Sequence, residues 1–173
     1  MKLNNLVKAS VFTSTAIGLG FVFLFIPNVE FISVTVFLSG MTLGIIFGSI
    51  IGASSIAVYS ILNPIGSGLA FIPLLIGQII GMTVIGIIGG LNKKILMYVP
   101  SKLLVPLSGL LGGFCAIWYD GITTISYPIS IGYGIKESLV YSIGGLFFTI
   151  MHILSNFIIF AIVVPSYINR IAK

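Results

Sequence analysis

Charge is what this sequence has least of. Aspartate and glutamate together number 3 among 173 residues, and charged residues of all kinds make up 6% of the chain, against about 25% in a soluble domain. So few charges cannot clothe a water-facing surface, which excludes a soluble globular fold. Cysteine is scarcer still: Cys115 stands alone, which excludes an internal disulfide and a thiolate metal site. Histidine also occurs once, as His152, with no carboxylate in the same apolar stretch. Neither a metal nor a cofactor is expected. A G-x-x-x-x-G-K-[ST] loop is missing too, and with it the P-loop means of holding a nucleoside triphosphate.

What remains is apolar. Hydrophobic residues make up 58% of the chain and the mean hydropathy is +1.24. Five apolar regions stand out, at 7–26, 31–62, 71–91, 103–118 and 138–164. A helix needs about 20 residues to cross the hydrocarbon core of a bilayer. The chain therefore reads as an all-α integral membrane protein, one membrane domain over residues 1–173. Its first apolar stretch is too long for a signal peptide, and Phe25-Ile26-Pro27 lacks a small-x-small cleavage pattern. It reads as a retained first helix.

The second region decides the topology. As a single helix its 32 residues would run about 48 Å, well past the roughly 30 Å core. Gly40, Gly44, Gly48 and Gly52 punctuate its middle, where glycine permits a tight turn or close helix packing. Split there, the chain has six transmembrane helices, with short helices 2 and 3. Lys2, Lys8, Lys93, Lys94, Lys102, Arg170 and Lys173 then share one side, and only Lys136 lies opposite with Glu30, Asp120 and Glu137. Lys and Arg gather on the cytoplasmic side, so both termini are expected in the cytoplasm. With five spans the Lys93, Lys94 and Lys102 loop would move outside. The same scatter of cations at segment ends argues against a nucleic-acid surface. The expected helices are about 7–26, 31–44, 46–62, 71–91, 103–120 and 138–166. External loops are expected at 27–30, 63–70 and 121–137, the last rich in Gly, Ser, Thr and Tyr.

Polar groups within a bilayer are costly and so are functional candidates. They concentrate towards the external half: Asn63 and Tyr59 around the third helix end, Gln78 two turns into the fourth, and Trp118 and Asp120 at the end of the fifth. Tyr127 falls in the long loop and Tyr141 opens the sixth helix. Aromatic faces with a few amides and one carboxylate suit a small organic ligand. Trp and Tyr at helix ends also form interfacial belts, and Asn63-Pro64 is a good turn on any account. His152 and Asn156, four residues apart, share a helix face, suited either to a ligand or to a helix–helix hydrogen bond. On the first helix Ser10, Ser14 and Gly18 form a small-residue stripe, with Ala9, Thr13, Ala16 and Gly20 beside it. Another helix can pack closely against such a stripe.

The order Phe37-Leu38-Ser39-Gly40, glycines at every fourth residue, Tyr59-Ser60, Asn63-Pro64, Pro73, Gln78, Gly81 and Gly89-Gly90 resembles the substrate-capture subunits (S components) of energy-coupling factor (ECF) vitamin transporters. The resemblance covers about a third of the chain in motif detail, and the six-span plan extends it to the whole. It implies a subunit of a prokaryotic plasma membrane that binds a vitamin or related micronutrient at its external half. It further implies docking onto a transmembrane scaffold subunit that carries two ATPases. Members of that family present an Ala-x-x-x-Ala stripe to the scaffold. Here Ser10, Ser14 and Gly18 take that place, with Ala9 to Thr13 the nearest literal match. One acid and several aromatics suit a flat heterocycle such as a pyrimidine or flavin. Such a subunit is not an enzyme. Two other readings compete: a structural or assembly subunit without a small ligand, and a rhomboid-like intramembrane protease using Ser67 and His152. The protease's Gly-x-Ser-Gly motif fails, because Ile65 stands where its first glycine belongs.

Overall fold

The computed structural model describes residues 3–171; Lys2 and Lys173, both counted among the expected cytoplasmic cations, lie outside them. Seven α-helices follow in order: α1 Leu3–Val22, α2 Ile32–Leu43, α3 Ile45–Leu62, α4 Ile72–Tyr98, α5 Ser101–Ser130, α6 Ile135–Ile143 and α7 Leu146–Ile171, with a 3-10 turn at Gly68–Ala70. No strand occurs among the described residues. Five helices are long and apolar enough to cross a membrane. They carry large aliphatic side chains outwards, among them Ile46, Ile76, Ile80, Leu110, Ile117 and Ile158. An outer surface of that kind fits lipid, and the chain is built as a multi-pass membrane protein.

Helix α2 is the centre of the molecule. It carries no charged side chain, as suits a helix enclosed on all sides, and every residue from Ile32 to Met41 is buried. At 12 residues it runs about 18 Å, so it cannot cross a bilayer alone. The expected break falls at Gly44, whose φ of 92° lies in the left-handed region open to glycine. Beyond it α3 packs back along α2. The approach is very close: a Cβ on Gly48 would sit 2.6 Å from the Gly40 Cα, and one on Gly86 would strike the Gly48 carbonyl. Glycine at these crossings lets α2, α3 and α4 meet backbone to backbone. Opposite, α5 lies along α7, where Gly109 faces the Phe157 ring and Gly112 the Phe160 ring. Phe37 of α2 meets Phe160 edge-on, centroids 5.2 Å apart, which ties the two halves together.

Two elements differ from the sequence reading. The expected long loop at 121–137 is helical as far as Ser130. Its hydroxyls bond their own helix: Thr123 Oγ1 donates to the Tyr119 carbonyl, and Ser126 Oγ to that of Ile122. A stretch rich in Ser and Thr reads as loop from composition, yet such back-bonding lets it stay helical. The expected sixth helix is two, α6 and α7, parted at Gly144-Gly145. Glu137 opens α6 by accepting the Gly134 N–H at 2.7 Å, one half of a capping box. Elsewhere the shifts are smaller. Helix α1 begins four residues earlier and ends four earlier than expected, and α4 continues through Lys93 and Lys94 to Tyr98.

The ends of the bundle differ in character. At one end Thr42 meets Tyr167, hydroxyl to hydroxyl at 2.6 Å. Lys8 at the start of α1, Lys93 and Lys94 late in α4, Lys102 opening α5 and Arg170 closing α7 belong to this end. The other end gathers the close of α1 and α3, the start of α2, α4 and α7, and the second half of α5. A cavity lies there.

Candidate functional site

The nine-residue connection between α1 and α2 roofs this cavity, and three contacts hold it in place. Asn28, at φ 59°, accepts a short hydrogen bond at its carbonyl from the Ser155 hydroxyl of α7. Glu30 Oε2 accepts the Ser33 N–H at 2.8 Å, so its carboxylate sits on the N-terminal turn of α2, where the helix dipole favours negative charge. Its other oxygen, Oε1, lies 3.3 Å from Asn156 Nδ2 and 3.6 Å from His152 Nε2. Asn156 is fully buried.

His152 occupies the middle of a short acid–base chain. Its Nδ1 is 2.8 Å from Asp120 Oδ1 on α5, while Nε2 faces Glu30 and has no partner within hydrogen-bond distance. The Asp120 contact commits Nδ1 and leaves Nε2 aimed at Glu30 across the cavity. The Tyr119 ring stands edge-on to the imidazole, centroids 6.3 Å apart. Burial pushes the Glu30 carboxyl up, but the nearby positive charge of His152, with the Ser33 hydroxyl and amide, outweighs it. Glu30, in the connection between helices, is held below the usual carboxylate range.

The cavity measures about 250 Å³. Glu30, Asp120 and His152 form its polar side, and Tyr59, Tyr119, Met82 and Ile56 its aromatic and aliphatic walls. A second cavity of about 260 Å³ holds Asn63, Gln78, Ser67 and Phe71. Tyr59 lines both, and so stands between them. Gln78 Oε1 accepts the Ser60 hydroxyl at 2.8 Å, and Asn63 Oδ1 accepts the Ile65 N–H at 2.9 Å in a local turn.

The structure thus brings Tyr59, Asp120 and His152 into one cavity with Asn156 behind it, and puts Asn63 and Gln78 next door. It does not bring in the rest. Trp118 lines neither cavity; its ring packs on the core with Nε1 buried and unpartnered. Tyr127 and Tyr141 stack on each other, centroids 5.8 Å apart, with Phe71 and Tyr133 alongside. That cluster lies where α5 ends and α6 begins. On α1, Ser10, Ser14 and Gly18 are exposed while Ala16 and Gly20 face inward. Ser67 caps the 3-10 turn, accepting the Leu69 N–H and donating to the Ile61 carbonyl. It makes no bond to His152.

The acid of the cavity that escaped sequence reasoning is Glu30, which counted only as an external charge. A signal for Glu30 did exist: in a chain with three acids, one flanked directly by Val29 and Phe31 between two long apolar stretches needs a partner where it is buried. Among the described residues no group of three His, Cys, Asp or Glu side chains is arranged to hold a metal ion. Compared with known protein families, with curated proteins and with solved structures, the chain matches none.

Proposed function

We propose that the chain is the substrate-capture subunit of an ECF-type importer, taking up a vitamin or related micronutrient. On this reading it crosses a prokaryotic plasma membrane six times with both ends in the cytoplasm. The helix pair α2 and α3 counts as two short spans, and α6 with α7 as the last. The observation that carries the reading is the position of the Glu30–His152–Asp120 cavity. It opens at the end of the bundle opposite Lys8, Lys93, Lys94, Lys102 and Arg170. Under the positive-inside rule that end faces outwards, where substrate arrives.

The rest of the chain supports a passive binder. Its charges are few, so a small body of this kind can reorient in lipid with few ionised groups to carry across. Energy comes from a scaffold subunit and its two ATPases, with the exposed Ser10, Ser14 and Gly18 stripe of α1 as the docking face. The chain itself performs no covalent chemistry.

The test is direct. The full chain is expressed with its genomic neighbours, and co-purification of a membrane scaffold and two ATPases is scored. The purified chain is then screened by native mass spectrometry against a vitamin panel. A bound vitamin and a captured ATPase module are expected. Failure of both makes it a structural subunit, and reporter fusions placing the chain ends on opposite faces defeat the topology.

A further inference from the structure

We infer that the α1–α2 cavity selects a compact organic cation, an N–H-bearing ammonium or amidinium group on no more than one ring. The inference rests on reading this cavity as the capture site, and deepens it by naming the chemical class of the substrate.

Three observations converge. The first is charge. Glu30 and Asp120 bring two carboxylates to one imidazole, which balances at most one of them, and among the described residues neither forms a salt bridge with Lys or Arg. Partly buried carboxylates left short of a counter-charge are expensive, and a cationic ligand completes the set. The second is the open acceptor. Glu30 lines the cavity, and the nearest imidazole nitrogen, His152 Nε2, stands 3.6 Å from its Oε1, beyond hydrogen-bond distance. A ligand N–H group can donate to this carboxylate, as an anionic ligand cannot. The third is shape. The volume of about 250 Å³ falls below the roughly 300–1,000 Å³ of common ligand pockets. The rings of Tyr59 and Tyr119 wall it, which favours a flat cation through their electron-rich faces. A fused three-ring heterocycle of flavin size is too large.

The full chain, purified in detergent, is titrated calorimetrically with benzamidinium, benzylammonium and tyraminium, with neutral benzamide and anionic benzoate as isosteric controls. Saturable binding is expected for at least one cation and for neither control. Asp120→Asn should weaken it at least about tenfold, because one unit charge is removed close to the ligand. Glu30→Gln keeps an acceptor for the Ser33 N–H and serves as the second variant should Asp120→Asn unfold. No saturable binding by any of the three cations overturns the inference, as does benzamide binding as tightly as benzamidinium. The two readings fail separately. Cation binding without a captured ATPase module leaves this site standing and removes the importer. A captured module with a neutral or anionic vitamin competing at Glu30 does the reverse.

Discussion

His152 Nδ1 lies 2.8 Å from Asp120 Oδ1, a contact between α7 and α5 that spans 32 positions of sequence. It holds the only imidazole of the chain with one nitrogen committed and the other open to the cavity. Four predictions concern this contact and the helices that frame it.

Removing the imidazole leaves Glu30 and Asp120 facing one another. We predict that His152→Ala lowers stability by about 3–5 kcal/mol, the range for stripping one partner from a buried charge pair. Thermal unfolding in detergent measures it. A cycle with Asp120→Asn should return a coupling of about 0.5–3 kcal/mol; additive losses would mean that the two side chains act independently.

Glu30 supplies the pH dependence. Its folded pKa is depressed below the ordinary value of 4.5, so the unfolded chain binds its proton more readily. The stability it contributes is therefore present above that value and lost as pH falls through the lower folded one. The melting temperature of the wild type should exceed that of Glu30→Gln near neutrality, and the gap should close on acidification. A gap that widens in acid would reverse the sign assigned to this carboxylate.

The glycine crossing gives a contrast between two substitutions of the same type. A Cβ on Gly86 would meet the Gly48 backbone, whereas around Gly18 nothing lies within 4 Å. We predict that Gly86→Ala destabilises by roughly 1–3 kcal/mol through overpacking. Gly18→Ala should be neutral or stabilising by up to about 1 kcal/mol, from helix propensity alone. Equal effects would mean that α2, α3 and α4 are not in backbone contact.

Helix α1 carries the docking prediction. Ser14 is exposed and packs on nothing in the chain itself. Ser14→Leu should abolish co-purification of the scaffold and ATPases while ligand affinity stays within about twofold, since the cavity lies on the other face of α1. Lost ligand binding with assembly spared would assign the stripe wrongly.

Some of this was legible without coordinates. A shortage of charge beside long apolar runs dictates lipid as the solvent, because hydropathy is a sum over local residues and needs no partner. The break at Gly44 followed from length and glycine spacing, and the shared face of His152 and Asn156 from the helical repeat. Tertiary structure alone decided which polar groups meet. Glu30, Asp120 and His152 come from three segments 32 to 122 residues apart, and no local pattern records a distance of that kind. The same holds for Trp118, aromatic and well placed in sequence, whose ring turns to the core. It holds too for the helix beyond Asp120, where hydroxyls satisfied on their own backbone make polar sequence helical. Composition set the solvent and the helices. Packing, which is a property of pairs distant in sequence, set the site.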